Sequence, residues 1–224
     1  MVRKQVILVG YIGGRVGSSL VMAMLEKAGF DVGQNNRGSN ENPLGFYEPE
    51  SYFSFLQEKF KEFDFLNFMA KKLKGNDLRI FDDKCEEVKE EFEALLDKEF
   101  YGDKIAIKCP YYAPVRLFDM YKYDVRMISI KRGAEDQARS ILKMNSASKY
   151  NQKEVVEWLN SWDHTKWLLS GYCGAYNIEF EDIIEDPEYV LTPLFKWLKP
   201  DIKNINEIIG LVDKSLPTIN SIII

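Results

Sequence analysis

Two segments far apart in the sequence combine small or hydroxyl residues with an arginine, which is a combination that binds anions. The first segment, GGRVGSSL, covers residues 13–20 and separates an apolar run from a helical pattern. Where a strand turns into a helix, backbone N–H groups point at an anion and the helix dipole favours its charge. A phosphate or sulfate is therefore predicted to bind five residues of this loop: Gly14, Arg15, Gly17, Ser18 and Ser19.

The second segment is VRMISIKRGAEDQARS, residues 125–140. It places Arg132 at the end of a predicted strand and Ser140 inside the helix that follows. An arginine offers a planar fork of N–H donors to a phosphate, and a serine adds a hydroxyl. We interpret the pair as a second phosphate site. The alternative is an arginine that is solvated or ion-paired.

Metal chemistry is not indicated by this sequence. The usual magnesium-ATP loop requires a lysine directly after its last glycine, and Ser18 stands there instead. The chain has a single histidine, His164, and three widely spaced cysteines, which fits neither a zinc site nor a disulfide framework. The sequence thus predicts anion binding without a metal, and buried free cysteines.

The elements that must position these residues alternate between strands and helices. Four short β-branched runs predict strands at residues 5–10, 104–108, 125–130 and 176–180. Apolar spacing predicts helices at residues 18–29, 50–73, 84–100, 114–122, 136–145, 151–171, 187–199 and 202–215, with Ser18 as a candidate cap of the first. Such alternation is typical of an α/β fold with three layers, a parallel sheet between helices. We expect one domain over residues 1–224, with a helical insertion around residues 50–100 and a long loop at residues 31–47.

Five segments in order resemble the bacterial-type sulfotransferases that use 3′-phosphoadenosine 5′-phosphosulfate (PAPS). Arg15-Val-Gly-Ser-Ser resembles their 5′-phosphosulfate loop, and the spacing of Arg132 and Ser140 is similar to their 3′-phosphate site. Three further segments resemble the family: NPLGFYEPE (residues 42–50), KIAIKCPYY (residues 104–112) and IEFEDIIEDPEYVLTPLFKWL (residues 178–198).

The resemblance implies a fold like that of the P-loop NTPases and transfer of a sulfuryl group from PAPS to a hydroxyl or amine, with release of 3′,5′-ADP. It implies that Arg15 and Lys108 stabilise the transferred group. The general base that it implies is Glu48, after the NPLGFY loop, with His164 as the rival. Sulfate carries less charge than phosphate, so no metal is expected. The implied acceptor is a small molecule, a glycan or a peptide.

Composition restricts the remaining function classes. The net charge of −5 argues against a nucleic acid as partner, and no apolar stretch approaches the roughly 20 residues of a membrane helix. We expect a cytoplasmic protein. Two alternatives stay open: a P-loop nucleotide or small-molecule kinase, and a degenerate nucleotide-binding module. The sequence leaves the oligomeric state open.

Overall fold

The computed structural model describes residues 3–10, 15–33, 47–61, 75–109, 113–143, 150–161, 175–198 and 202–212. Within these residues, four parallel strands form one sheet: β1 (Lys4–Gly10), β2 (Lys104–Cys109), β3 (Tyr123–Lys131) and β4 (Ala175–Glu179). Their order across the sheet is β2-β1-β3-β4. Gly10 is paired with both Cys109 and Ser129, so the carboxyl ends of β1, β2 and β3 meet at one edge.

Helices cover both faces of this sheet. In chain order they are α1 (Ser18–Lys27), α2 (Glu50–Lys59), α3 (Gly75–Glu99), α4 (Ala134–Leu142), α5 (Gln152–Ser161), α6 (Phe180–Glu185), α7 (Pro187–Leu198) and α8 (residues 205–212), with a 3₁₀ helix at Ala113–Leu117. The predicted α/β architecture of three layers is therefore confirmed. None of the helices described is both long and apolar enough to cross a membrane.

The strands direct alternate side chains to opposite faces, which creates two separate cores. In β1, Val6 and Leu8 pack with α2 and α3, whereas Ile7 and Val9 pack with α1, α6 and α7. All four side chains are fully buried, as expected of a strand that has helices on both sides. The central strands are thus fixed rigidly from both faces, and the loops at their carboxyl ends start from fixed points.

Several helix boundaries differ from those predicted. The second helix ends at Lys59 rather than continuing to residue 73, and α3 begins at Gly75 rather than at residue 84. The earlier start follows from burial at helical spacing, since Phe81 and Cys85 extend the buried stripe of Val88, Phe92 and Leu96 toward the amino terminus. Helix α6 was not predicted. The single-domain assignment over residues 1–224, with its insertion around residues 50–100, stays a prediction.

The helix predicted at residues 114–122 is wrong. Only the 3₁₀ helix at Ala113–Leu117 forms there, and a turn follows it. The side chain of Asp119 accepts a hydrogen bond from the backbone N–H of Tyr121 (2.8 Å), and its carbonyl accepts from Lys122 and Tyr123. An aspartate that bonds to the backbone two residues later favours a turn over a helix. This turn leads the chain into β3.

Candidate functional site

The strand order reverses between β1 and β3, at whose carboxyl ends the predicted site residues are found. Strand β2 follows β1 in the chain but lies on one side of it, whereas β3 lies on the other side. In open α/β sheets, ligands bind at such a reversal of strand order, outside the carboxyl ends. Three predicted site residues lie here: Arg15 after β1, Lys108 near the end of β2, and Arg132 directly after β3.

Arg15 connects the two predicted anion-binding segments. Its Nε donates a hydrogen bond to Oγ of Ser140 (3.2 Å), and its backbone carbonyl accepts one from Nη1 of Arg132 (3.0 Å). Arg15 has a left-handed backbone with φ of 61°, which is uncommon for a residue other than glycine. The structure therefore brings the two segments together into one site.

Gly17 shapes the turn from the first loop into α1. Its φ is 87°, and it occupies the position before the helix, so the prediction that Ser18 caps α1 is wrong. Ser18 is the first helical residue and is buried. A Cβ atom added to Gly17 would lie 2.2 Å from the ring of Phe180, so any other residue would have to displace that ring. The first N–H groups of a helix lack an intrahelical partner, and those of α1 are consequently suited to an anion.

Arg132 is a buried cation whose hydrogen-bonding capacity is only partly used. The residue is 8% exposed, and its guanidinium lies 5.1 Å from the ring centroid of Phe180. Its Nε is buried, and no hydrogen-bond acceptor reaches it among the described residues; the nearest charge is Oε1 of Glu181 at 3.9 Å. Burial lowers the pKa of Arg132, and Glu181 raises it in part. An arginine nevertheless stays charged, so this group is suited to receive an anion.

Lys108 and Glu48 form an ion pair beside the first loop. Nζ of Lys108 lies 2.9 Å from Oε1 of Glu48 and 3.4 Å from Oγ of Ser19. Lys108 is buried rather than held in solvent. Burial lowers the pKa of Lys108, the Glu48 carboxylate raises it, and the positive charge of Arg15 lowers it further. A candidate base and two candidate cations are consequently neighbours.

Tyr47, the residue before Glu48, is anchored to α1, a contact that sequence analysis did not predict. Its φ is 52°, an outlier for an aromatic residue, and its ring is buried. The hydroxyl donates a hydrogen bond to Oε2 of Glu26 on α1 (2.9 Å). The buried ring and this bond fix the chain immediately before Glu48. The sequence contains no signal for this contact.

Phe180 and Glu181, which directly follow β4, both lie beside Arg132. The sequence analysis gave neither residue a role. A usable signal existed, because residues that follow a strand next to β3 must lie at the same edge of the sheet. Two of the predicted residues, Gly14 and His164, lie outside the described part of the chain. Within the described part, no group of three or more histidine, cysteine or acidic residues could hold a metal ion.

The fold is similar to that of solved sulfotransferases. The sulfotransferase domain of the Synechococcus PCC 7002 olefin synthase is 15% identical, with a TM-score of 0.51 over 91% of this chain and 76% of that domain. The sulfotransferase domain from the curacin biosynthetic pathway (14% identity, TM-score 0.46, 88% and 74% coverage) and sulfotransferase STF9 from Mycobacterium avium (14%, 0.46, 97% and 69%) are also similar. No family model and no curated protein matches the chain. At these identities the likeness shows a sulfotransferase-like fold.

Proposed function

We propose that the protein is a sulfotransferase that transfers a sulfuryl group from PAPS to a hydroxyl or amine of an acceptor and releases 3′,5′-ADP. The acceptor is a small molecule, a glycan or a peptide. The observation that supports this most is the convergence of Arg15, Lys108 and Arg132 at one edge of a sulfotransferase-like sheet. Three neighbouring cations suit a donor that carries anionic groups at both its 5′ and 3′ positions.

In this proposal Arg132 and Ser140 bind the 3′-phosphate. The buried Nε of Arg132 supports this role, because a buried donor without an acceptor is costly and a phosphate oxygen would satisfy it. Arg15 and the loop residues bind the 5′ side: Gly14, Gly17, Ser18 and Ser19. The bond from Arg15 to Ser140 ties the two halves of the donor site together.

Lys108 and Arg15 are assigned to the oxygens of the transferred sulfuryl group, where charge develops during transfer. Glu48 is assigned as the base that accepts the acceptor's proton. The acceptor oxygen or nitrogen forms its bond to sulfur as the bond from sulfur to the 5′-phosphate oxygen breaks, and both electrons of that bond leave with 3′,5′-ADP. Glu48 is paired with Lys108 in the free protein, and the three N–H donors of the ammonium allow Lys108 to contact the donor as well.

A ligand screen by thermal unfolding tests the donor class. We expect 3′,5′-ADP to raise the melting temperature without added metal, because a ligand that binds only the folded state stabilises it. Mg-ATP should have little effect. Stabilisation by Mg-ATP but not by 3′,5′-ADP would contradict the proposal and favour a kinase.

Acceptor screening with radiolabelled PAPS then separates an enzyme from a nucleotide-binding module. Label transferred to an acceptor supports the sulfotransferase. Donor binding without transfer to any hydroxyl or amine acceptor of the three proposed classes would favour the module instead.

A further inference from the structure

The charge of Arg132 requires compensation in the free protein. Its side chain is almost fully buried, and the groups in direct contact with the guanidinium, the carbonyl of Arg15 and the ring of Phe180, carry no charge that would compensate it. Burial lowers the pKa of Arg132, and the positive charges of Arg15 and Arg139 add to that effect. Two carboxylates oppose it, those of Glu181 and Asp136. A buried charge needs such a partner to be tolerated.

Glu181 is the more important of these two carboxylates. It has the larger effect on the pKa of Arg132, and Asp136 forms its own ion pair with Arg139. Oε1 of Glu181 accepts a hydrogen bond from the backbone N–H of Gly133 (3.1 Å) and lies 3.9 Å from Nε of Arg132. The carboxylate therefore compensates the charge of Arg132 without bonding to Nε. That donor stays available to a ligand.

We propose that Glu181 is the counter-ion of Arg132 in the free protein and competes with the bound anion, which makes it an affinity-determining residue of the site. The proposal rests on the proposed function, in which this anion is the 3′-phosphate of the donor. A carboxylate close to a phosphate repels it, and the same carboxylate stabilises the empty site. Glu181 thus lowers the affinity for 3′,5′-ADP and raises the stability of the free protein. Ligands without a 3′-phosphate do not experience this competition.

The variant Glu181→Gln separates charge from hydrogen bonding. Its amide oxygen can still accept from the N–H of Gly133, but the negative charge is lost. By calorimetry we expect the affinity for 3′,5′-ADP to rise about three- to tenfold at low ionic strength, and less in high salt. The affinity for AMP should not change. The free variant should melt at a lower temperature than the native protein.

Glu185→Gln is the matched control, because Glu185 lies on the same short helix and is exposed. It makes the same charge change one helical turn further along, and we expect it to alter both affinities much less than Glu181→Gln does. In an Arg132→Ala background, Glu181→Gln should give a smaller gain for 3′,5′-ADP, because only the direct repulsion of the phosphate is then relieved. If Glu181→Gln does not fold, Glu181→Asp can be used instead. Its carboxylate is one methylene further from Arg132, so the affinity for 3′,5′-ADP should rise by a smaller factor.

The outcomes distinguish this proposal from the proposed function. Tight binding of 3′,5′-ADP by the native protein, with no gain or a loss in Glu181→Gln, would overturn the competition alone. An equal gain in Glu185→Gln or in the Arg132→Ala background would also overturn it, because the effect would then come from net charge. No binding of 3′,5′-ADP by the native protein would overturn the proposed function and this inference with it.

Discussion

Lys108 and Glu48 form an ion pair with unequal burial. Their charged atoms are 2.9 Å apart, but the side chain of Lys108 is 5% exposed and that of Glu48 is 32% exposed. The buried ammonium depends on the carboxylate for compensation, whereas the carboxylate also has access to water. The protonation state of Lys108 therefore affects the stability of the folded protein. The pair also places the candidate base in contact with a candidate cation.

The pH dependence of stability should reveal this coupling. Burial lowers the pKa of Lys108 below its ordinary value of 10.5. Between the folded-state pKa and 10.5, the unfolded chain holds a proton that the folded chain has released, so the contribution of Lys108 to stability rises with pH. We expect the native protein to gain stability relative to Lys108→Met as the pH approaches 10.5, as measured by urea unfolding.

Glu48→Gln extends that experiment. Without the carboxylate, the pKa of Lys108 should fall further, so the window in which stability rises should widen toward neutral pH. At neutral pH we expect a loss of roughly 1–3 kcal/mol, less than for a fully buried pair because Glu48 is partly solvated. If native and Glu48→Gln proteins give parallel pH profiles, the ion pair does not form in solution.

The same variant tests the proposed base in the reaction. With an acceptor found by screening, Glu48→Gln should lower turnover about a hundredfold or more, because an amide cannot accept the acceptor's proton. The affinity for 3′,5′-ADP should change little. Glu50→Gln, two residues along and exposed at the start of α2, is the matched control and should keep full turnover. Full turnover by Glu48→Gln would mean that the base lies elsewhere, and His164 would be tested next.

The fold was largely predictable because its strands are buried on both faces. A short β-branched run such as QVILVG, followed by a glycine-rich loop and a helical pattern, is typical of a buried strand, and the four predicted strands differ from β1–β4 by at most two residues at either end. Parallel pairing followed from the alternation of strands and helices. The helix ends were less predictable. Phe60 ends α2, and Asp119 forms a turn where a helix was predicted, through local backbone geometry that apolar spacing does not encode.

The candidate site was predictable only as separate pieces. Arg15 and Ser140 are 125 residues apart, and their bond depends on the strand order β2-β1-β3-β4, which the sequence does not state. The roles of Phe180 and Glu181 depend on that same order. Tyr47 adopts its positive φ because its ring and hydroxyl are held by the core and by Glu26, which are tertiary contacts.

Arg132→Ala should weaken 3′,5′-ADP binding by about ten- to a hundredfold, because a charge-assisted hydrogen bond is lost. AMP lacks the 3′-phosphate, so its affinity should fall much less. A small loss for AMP is expected, since Arg132 also donates to the carbonyl of Arg15 in the first loop. Ser140→Ala should weaken 3′,5′-ADP less than Arg132→Ala does. Equal losses for both nucleotides, measured by calorimetry, would mean that Arg132 supports the fold or the 5′ side.

Gly17→Ala tests whether the first loop and the proposed 3′-phosphate site depend on each other. The backbone of Gly17 has φ of 87°, which costs a residue with a Cβ about 1–2 kcal/mol. The new methyl group would also lie 2.2 Å from the ring of Phe180, so the ring must move, and overpacking of this kind adds about 1–3 kcal/mol. We expect a total loss of roughly 2–5 kcal/mol in urea unfolding.

The ring of Phe180 also supports the guanidinium of Arg132, so the displaced ring should weaken 3′,5′-ADP binding in the protein that remains folded. Gly210→Ala is the control, because Gly210 lies in α8 with open space around its Cβ position. It should stabilise the protein by up to about 1 kcal/mol, as alanine in a helix does relative to glycine, and leave binding unchanged.

In a double-mutant cycle, Gly17→Ala with Phe180→Ala should cost less than the sum of the single changes, because the second removes the ring that the first displaces. Strict additivity would show that the ring does not contact Gly17 in solution.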